Sequence, residues 1–268
     1  MLPFVYDKTI FPSNPTPVLD QQEFLIPWER LLTSFALDIS NNEGCGWTHS
    51  ELHSYLIDGI TVGGHTIKDE DIVRNIKTCW DGVKNISEDI DNLTNLQFVC
   101  TLHSVLMKGL LSNTDIGYFR RSNVQITGTF VWKCVPAEQL RNVFLREYKA
   151  IREITNPVEQ AVVAQLWISY RQFFADGNKR VARMWTNVLL ANSRVGIFTV
   201  PNNAHSTFMR LLCEFYDTAD ASEICAFIVK YCLHTFDSDG RYCPPVQYDE
   251  RSIISDLKFE ECPLTKDR

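Results

Sequence analysis

The sequence predicts an all-α fold, mainly helical and relieved by one short β-hairpin. Three observations carry that reading. Apolar residues recur at helical spacing through most of the 268 residues. Capping residues or proline stand in front of several of those stretches. Only Asn123 to Lys133 alternates differently, with Val124 and Ile126 before a Gly128-Thr129 turn and Phe130, Val131 and Trp132 after it, which predicts the hairpin.

Residues 1–19 are rich in Pro, Asn and Thr and predict irregular chain. From Gln21 to about Ile39, Phe24, Leu25, Trp28, Leu31, Leu32, Phe35 and Ala36 form one helical stripe. Asn41 to Gly46 breaks it, and Thr48 caps a helix carrying Leu52, Tyr55 and Leu56. After a glycine-rich turn, Gly59 to Thr66, a helix runs from Asp69 past Ile72, Ile76 and Trp80. After Asp91, Leu93, Leu96, Val99, Leu102, Val105 and Leu106 predict one amphipathic helix ending near Gly109. Pro136 opens the next, through Leu140, Val143, Phe144 and Tyr148. Asn156-Pro157 starts another with Val162, Val163, Leu166 and Trp167 buried, and further helices are predicted from Asn178 to Asn192, over 203–217 and over 220–236. Three regions result: a helical region at 1–90, a core at 91–236 and an irregular polar tail at 237–268.

A chain of this size buries enough surface to need no staples. Its net charge of −7 argues against a nucleic-acid partner, which wants a basic face, and no apolar run predicts a membrane span. Nine cysteines, an odd number without a C-x-x-C pair, and an amino terminus without a basic-then-apolar leader predict reduced thiols in a cytoplasm. That cytoplasm is bacterial, or a host's cytosol if the chain is a delivered effector. Cys225, Cys232, His234 and Cys243 cluster, but their spacing matches no zinc pattern, and burial as small hydrophobes is the preferred reading.

Chemistry concentrates in Asp176-Gly177-Asn178-Lys179-Arg180, between an apolar helix and an amphipathic one. A glycine between Asp and Asn permits backbone angles closed to other residues. Amides at the next helix start then converge, and the helix dipole favours an anion there. Arg180 and Arg183, three apart, face a common phosphate chain, and Asp176 is placed to hold Mg2+ against phosphate oxygens. Taken alone, the pentapeptide reads better as a capped interhelical turn with surface arginines.

The longer run from Gln172 through Phe173, Phe174, Ala175 and Asp176 to Arg183 resembles the signature of Fic-domain proteins, except that the family's catalytic histidine is Gln172. The resemblance covers most of 30–236, including Leu102 to Leu106, Gly117-Tyr118, Arg120, Val124 to Gly128, Pro136 and Phe215 to Asp220. It implies that Asp176 binds Mg2+, that Gly177, Asn178 and Lys179 form an anion hole with Arg180, and that Arg183 meets the γ-phosphate of ATP. It also implies that the flap at Val124, Gln125, Ile126, Thr127 and Gly128 registers an extended segment of a protein target. Lys179, where glycine is commoner, also occurs in Doc-type relatives, some of which phosphorylate. His103 is read as a structural hydrogen-bonding residue and not as a substitute base; the other histidines lack motif context.

Ser40 to Gly44 resembles the inhibitory motif of one Fic class, with spacing one residue short. By resemblance Glu43 would pair with Arg183; the alternative is an exposed loop glutamate.

Transfer of AMP needs a nucleophile deprotonated as it attacks, and a positioned base contributes about 10²–10⁴-fold. A glutamine amide has no usable pKa. Three readings follow: an adenylyltransferase scaffold disabled at Gln172, naturally or by design; a nucleotide-binding pseudoenzyme acting as regulator or interaction module; and, least favoured, AMP removal or transfer of another group.

Overall fold

The computed structural model describes residues 1–13, 15–84 and 90–249. Ten helices among them are α1 (Gln21–Asn42), α2 (His49–Leu56), α3 (Ile67–Val83), α4 (Ile90–Thr94), α5 (Leu96–Leu106), α6 (Leu140–Arg152), α7 (Pro157–Arg171), α8 (Asn178–Ser193), α9 (His205–Thr218) and α10 (Ser222–Tyr231). A three-stranded antiparallel sheet of order β1-β2-β3 joins Ile197–Phe198, Leu233–Phe236 and Tyr242–Cys243.

At the centre lies the α7–α8 pair. Every residue of α7 from Val158 to Ser169 is buried, as is α8 from Arg180 to Leu190. A helix covered on all sides needs neighbours on all sides, and α1, α3, α4, α5, α6 and α9 supply them. The amino-terminal layer is pinned by Trp28 of α1 and Trp80 of α3. Their rings stack at 3.8 Å, and each indole N–H donates to the other's backbone carbonyl at 3.1–3.2 Å. Indole needs such a partner when buried. Residues 4–6 return to the far end of the chain, where the Val5 N–H donates to Ala219 O and Val5 O accepts from the Ala221 N–H.

Helix starts follow the capping chemistry. Asp20 with Glu23, Thr48 with Glu51 and Thr66 with Asp69 form reciprocal capping boxes, and Asn156 caps α7 ahead of Pro157.

Four expectations are corrected. The single helix after Asp91 is two, because Asn95 sits extended between α4 and α5 and its side chain caps Phe98 N–H. The helix over 220–236 ends at Tyr231, and 233–236 becomes strand β2, paired with β1 and with β3 from the tail. The tail is therefore ordered into the sheet at Tyr242–Cys243, and its portion beyond Asp249 lies outside the described residues. The short hairpin of the fold is β2–β3; Asn123 to Lys133 instead turns at Ile126–Thr129 without strand pairing.

Candidate functional site: the α7–α8 loop

Helix α7 stops at Gln172, which takes a left-handed conformation (φ 49°, ψ 60°) that lets the chain reverse into the loop. A non-glycine residue there carries strain, and four hydrogen bonds hold it. The Gln172 N–H donates to Ile168 O, and its carbonyl accepts from Arg120 Nε at 2.7 Å. Its side-chain Nε2 donates to Ser169 O at 2.6 Å, and Oε1 accepts from Asn178 Nδ2 at 3.0 Å. Both ends of the amide are thus spent on closing the helix and the loop.

Asn178 completes the closure. Its Oδ1 accepts from Phe174 N–H, and its Nδ2 also donates to Phe174 O. The Asn178 side chain is therefore internal to the loop. Phe173 and Phe174 are fully buried, Phe174 stacking on the His103 ring at 4.0 Å. His103 braces the loop from behind: Nδ1 accepts the Gly117 N–H, which leaves Nε2–H to donate to Asp176 O. Burial pushes its pKa down to about 4, so it is neutral, as the structural reading of this residue requires.

Gly177 is the N-cap of α8 at φ 78°, and no side chain caps the first turn. The Gly177 N–H is taken by Asp176 Oδ1 at 2.6 Å. A Cβ at Gly177 would meet Met107 Sδ at 2.5 Å, so a larger residue would force Met107 aside. An uncapped start of a 16-residue helix leaves amides and a positive dipole end for an anion.

The charged residues do not pair as the resemblance implied. Arg180 contacts Asp176 Oδ2 and Glu43 Oε1, both at 3.1 Å, while its Nη1 has no hydrogen-bond partner. Arg183, expected opposite Glu43, instead donates to Asp38 Oδ1 at 2.8 Å in a pair whose side chains are 3% and 1% exposed. Its guanidinium also lies over the Phe208 ring. The reason is helix geometry. Asp38 lies on the buried face of α1, and Glu43 is the C-cap of that helix, set by a closing turn in which Cys45 N–H donates to Ser40 O and Gly44 N–H to Asn41 O. Gly44 supplies the required positive φ of 73°. Ser40 is buried, and its hydroxyl donates back to Leu37 O.

Lys179 is half-buried, and burial together with Arg183 pulls its pKa down. His205 feels Arg183 and Lys179 as well, which places it near the start of α8 although its sequence context gave no sign of this. Asp38 was also missed. Its signal is a carboxylate three residues after Phe35 on an apolar stripe, a position that demands a buried cation.

The flap is clamped at both ends. Arg120 Nη1 donates to Ser122 O and Nη2 to Val135 O, while Nε reaches Gln172 O, so one guanidinium ties both flap arms to the end of α7. Asp217 of α9 accepts the backbone N–H groups of Phe130, Val131 and Trp132. Val124, Gln125, Ile126, Thr127 and Gly128 form the other arm and the turn, and Gly128 sits against Cys213. Among the described residues no group of three or more His, Cys, Asp or Glu could hold a metal; Cys225 and Cys232 are buried thiols. No helix among them is long and apolar enough to cross a membrane.

A strained helix end, an uncapped helix start and a clamped flap together define a loop-and-flap site on a helical scaffold. Residues 92–190 match the model of the Fic/DOC family. A Fic-domain-containing signaling protein from Bacteroides thetaiotaomicron superposes with a TM-score of 0.61 at 18% identity, covering 82% of this chain and 86% of that one. A Fic family protein from Desulfovibrio desulfuricans gives 0.61 at 17%, covering 85% and 73%. Fic-1 of C. elegans gives 0.59 at 14%, covering 79% of this chain and 63% of that one. At these identities the likeness is one of fold. No curated protein sequence matches the chain.

Proposed function

We propose that the chain is a Fic-type protein adenylyltransferase scaffold that binds an adenine nucleotide at the 176–183 loop and is disabled for AMP transfer at Gln172. The observation that carries this reading is the Gln172 amide. It stands at the family's base position with both ends hydrogen-bonded within the loop.

Moving AMP from ATP to a protein hydroxyl forms an O–P bond, breaks the bond to the β-phosphate and releases pyrophosphate. The hydroxyl proton must go to an acceptor as this happens. An amide cannot take it, so the step loses the roughly 10²–10⁴-fold that a positioned base contributes. Positioning and charge stabilisation by the loop remain.

The donor set suits Mg2+. That ion wants one or two carboxylates plus phosphate oxygens, and Asp176 presents a carboxylate 61% exposed beside the uncapped helix start. When bound, the ion offsets phosphate charge. Gly177, Asn178 and Lys179 contribute backbone and ammonium donors, with Arg180 beside them. A protein target fits the first flap arm, 123–126. The amides of the second arm are committed to Asp217, so only the first arm has backbone donors to spare for an added strand. Glu43 is the regulatory candidate through Arg180.

The test uses labelled ATP, Mg2+ and a cell lysate. The unaltered chain is expected to label nothing. Gln172→His is expected to produce labelled protein, and Glu43→Gly in that background to raise the signal. Silence from Gln172→His with nucleotide binding intact would leave the pseudoenzyme reading in its place.

A further inference from the structure

The first half of α1 turns one face away from the core. Glu23, Ile26, Pro27, Arg30 and Leu31 follow one another at helical spacing and share one side of the helix. Between that side and the β2–β3 hairpin runs a groove of about 450 Å3, lined also by Leu19, Phe236 and Tyr242. Ile26 is 54% exposed beside it. The charges along the groove are segregated. Glu23 lies at one end, and the hairpin turn brings Asp239 to the same end: the next residue, Gly240, sits so close to Leu19 that a Cβ there would meet Leu19 Cδ2 at 2.8 Å. Arg30 lies two turns further on. Pro27, between the two signs, has no N–H to give the Glu23 carbonyl, so the helix leaves that acceptor without its usual partner.

We propose that this face binds a second copy of the chain, the two α1 helices lying antiparallel about a two-fold axis at Ile26 and Pro27. A two-fold contact needs a patch that complements itself. This one does, because Glu23 and Arg30 lie equally far on either side of the Ile26–Pro27 midpoint. Reversed against its copy, α1 sets each Arg30 opposite Glu23 and Asp239 of the other chain. Ile26 of each copy enters the other's groove, and burial of that apolar surface drives the association. The ion pairs set its direction, since a parallel arrangement would oppose like charges. An occupant of one charge sign would likewise meet repulsion at one end. Glu43 lies thirteen residues beyond Arg30, about 20 Å along the helix, so this contact and the loop site are separate surfaces.

Sedimentation equilibrium of the full chain from low to high micromolar concentration tests this. The mass is expected to rise from 30.9 kDa towards twice that value. Arg30→Glu and Glu23→Arg are each expected to weaken self-association on the order of tenfold or more, because each sets like charges opposite one another. Mixed in equal amounts, the two variants are expected to associate again, since every pair between positions 23 and 30 is then of opposite sign. A variant that had merely failed to fold would not be rescued in this way. Ile26→Asp, at an exposed position, is expected to abolish association without lowering Tm. A mass that stays at 30.9 kDa throughout would overturn the proposal and leave the groove to a different ligand, and needs no variant to fold. A dimer indifferent to all three substitutions would have its interface elsewhere and would overturn the proposal equally.

Discussion

Gln172, His103 and Asp38 show how single residues are committed in this site. Gln172 spends its amide on Ser169 O and Asn178, so its side chain serves the loop's shape. His103 is buried and neutral, with one ring nitrogen accepting and the other donating. That arrangement fixes a sign for pH dependence. Burial holds the pKa of His103 at about 4, and that of His234 likewise, below the usual 6.5. Between those values the unfolded chain binds more protons, so each contributes stability that is present above pH 6.5 and lost as pH falls through 4. The magnitude is on the order of 3 kcal/mol each. Asp38 works the other way, because burial raises its pKa to about 6 against the pull of Arg183. Its contribution is present below about pH 4 and lost as pH rises through 6. Two histidines outweigh one carboxylate, so Tm is expected to fall between pH 7 and pH 4.5. His234→Gln is expected to flatten that slope; an unchanged slope would contradict the assignment.

At the scale of elements, the ends of helices do most of the placing. The closing turn of α1 fixes Glu43, and Gly44 makes it possible. Gly44→Ala has room for the methyl group but forces it into a left-handed conformation. It is expected to destabilise the protein by about 1 kcal/mol in urea titration. In the Gln172→His background it should also raise labelling, since Glu43 is no longer aimed at Arg180. The flap gives a second prediction. Asp217→Ala leaves the amides of Phe130, Val131 and Trp132 without their acceptor. Limited proteolysis is expected to cut within 123–134 faster, with little change in Tm because Phe130 and Val131 are exposed and Trp132 keeps its own contact with Tyr170. Equal cleavage rates would show that Asp217 does not hold the flap. The same contact explains a limit of the sequence. Val124, Ile126, Phe130 and Val131 read as a hairpin because their pattern is local, but the amides of the second arm pair with a residue some 85 positions away. Strand β1 is only two residues long and exists because β2 lies beside it, so no periodicity announces it. Asn95 divides α4 from α5 by a cap that the continuous apolar stripe conceals.

Across the whole molecule, the helical core and the loop were legible because both are written in local pattern. The buried stripes of α7 and α8 and the Asp176-to-Arg183 run needed no distant partner to be recognised. Which carboxylate meets which arginine was not legible. It depends on how far along α1 the chain crosses α8, and this puts Asp38 on Arg183 and Glu43 on Arg180. The consequence reaches the site as a whole: α1 carries two of the three carboxylates, Asp38 and Glu43, that hold the guanidinium groups of Arg180 and Arg183. Lys179, half-buried and outside the α7–α8 hydrogen-bond closure, is the cation least entangled with folding. Titrating the unaltered chain and Lys179→Gln with Mg·ADP in a calorimeter therefore tests the phosphate cradle most directly. The account predicts saturable one-site binding that Lys179→Gln weakens on the order of tenfold. Absence of binding, or identical affinity in the two proteins, would contradict it.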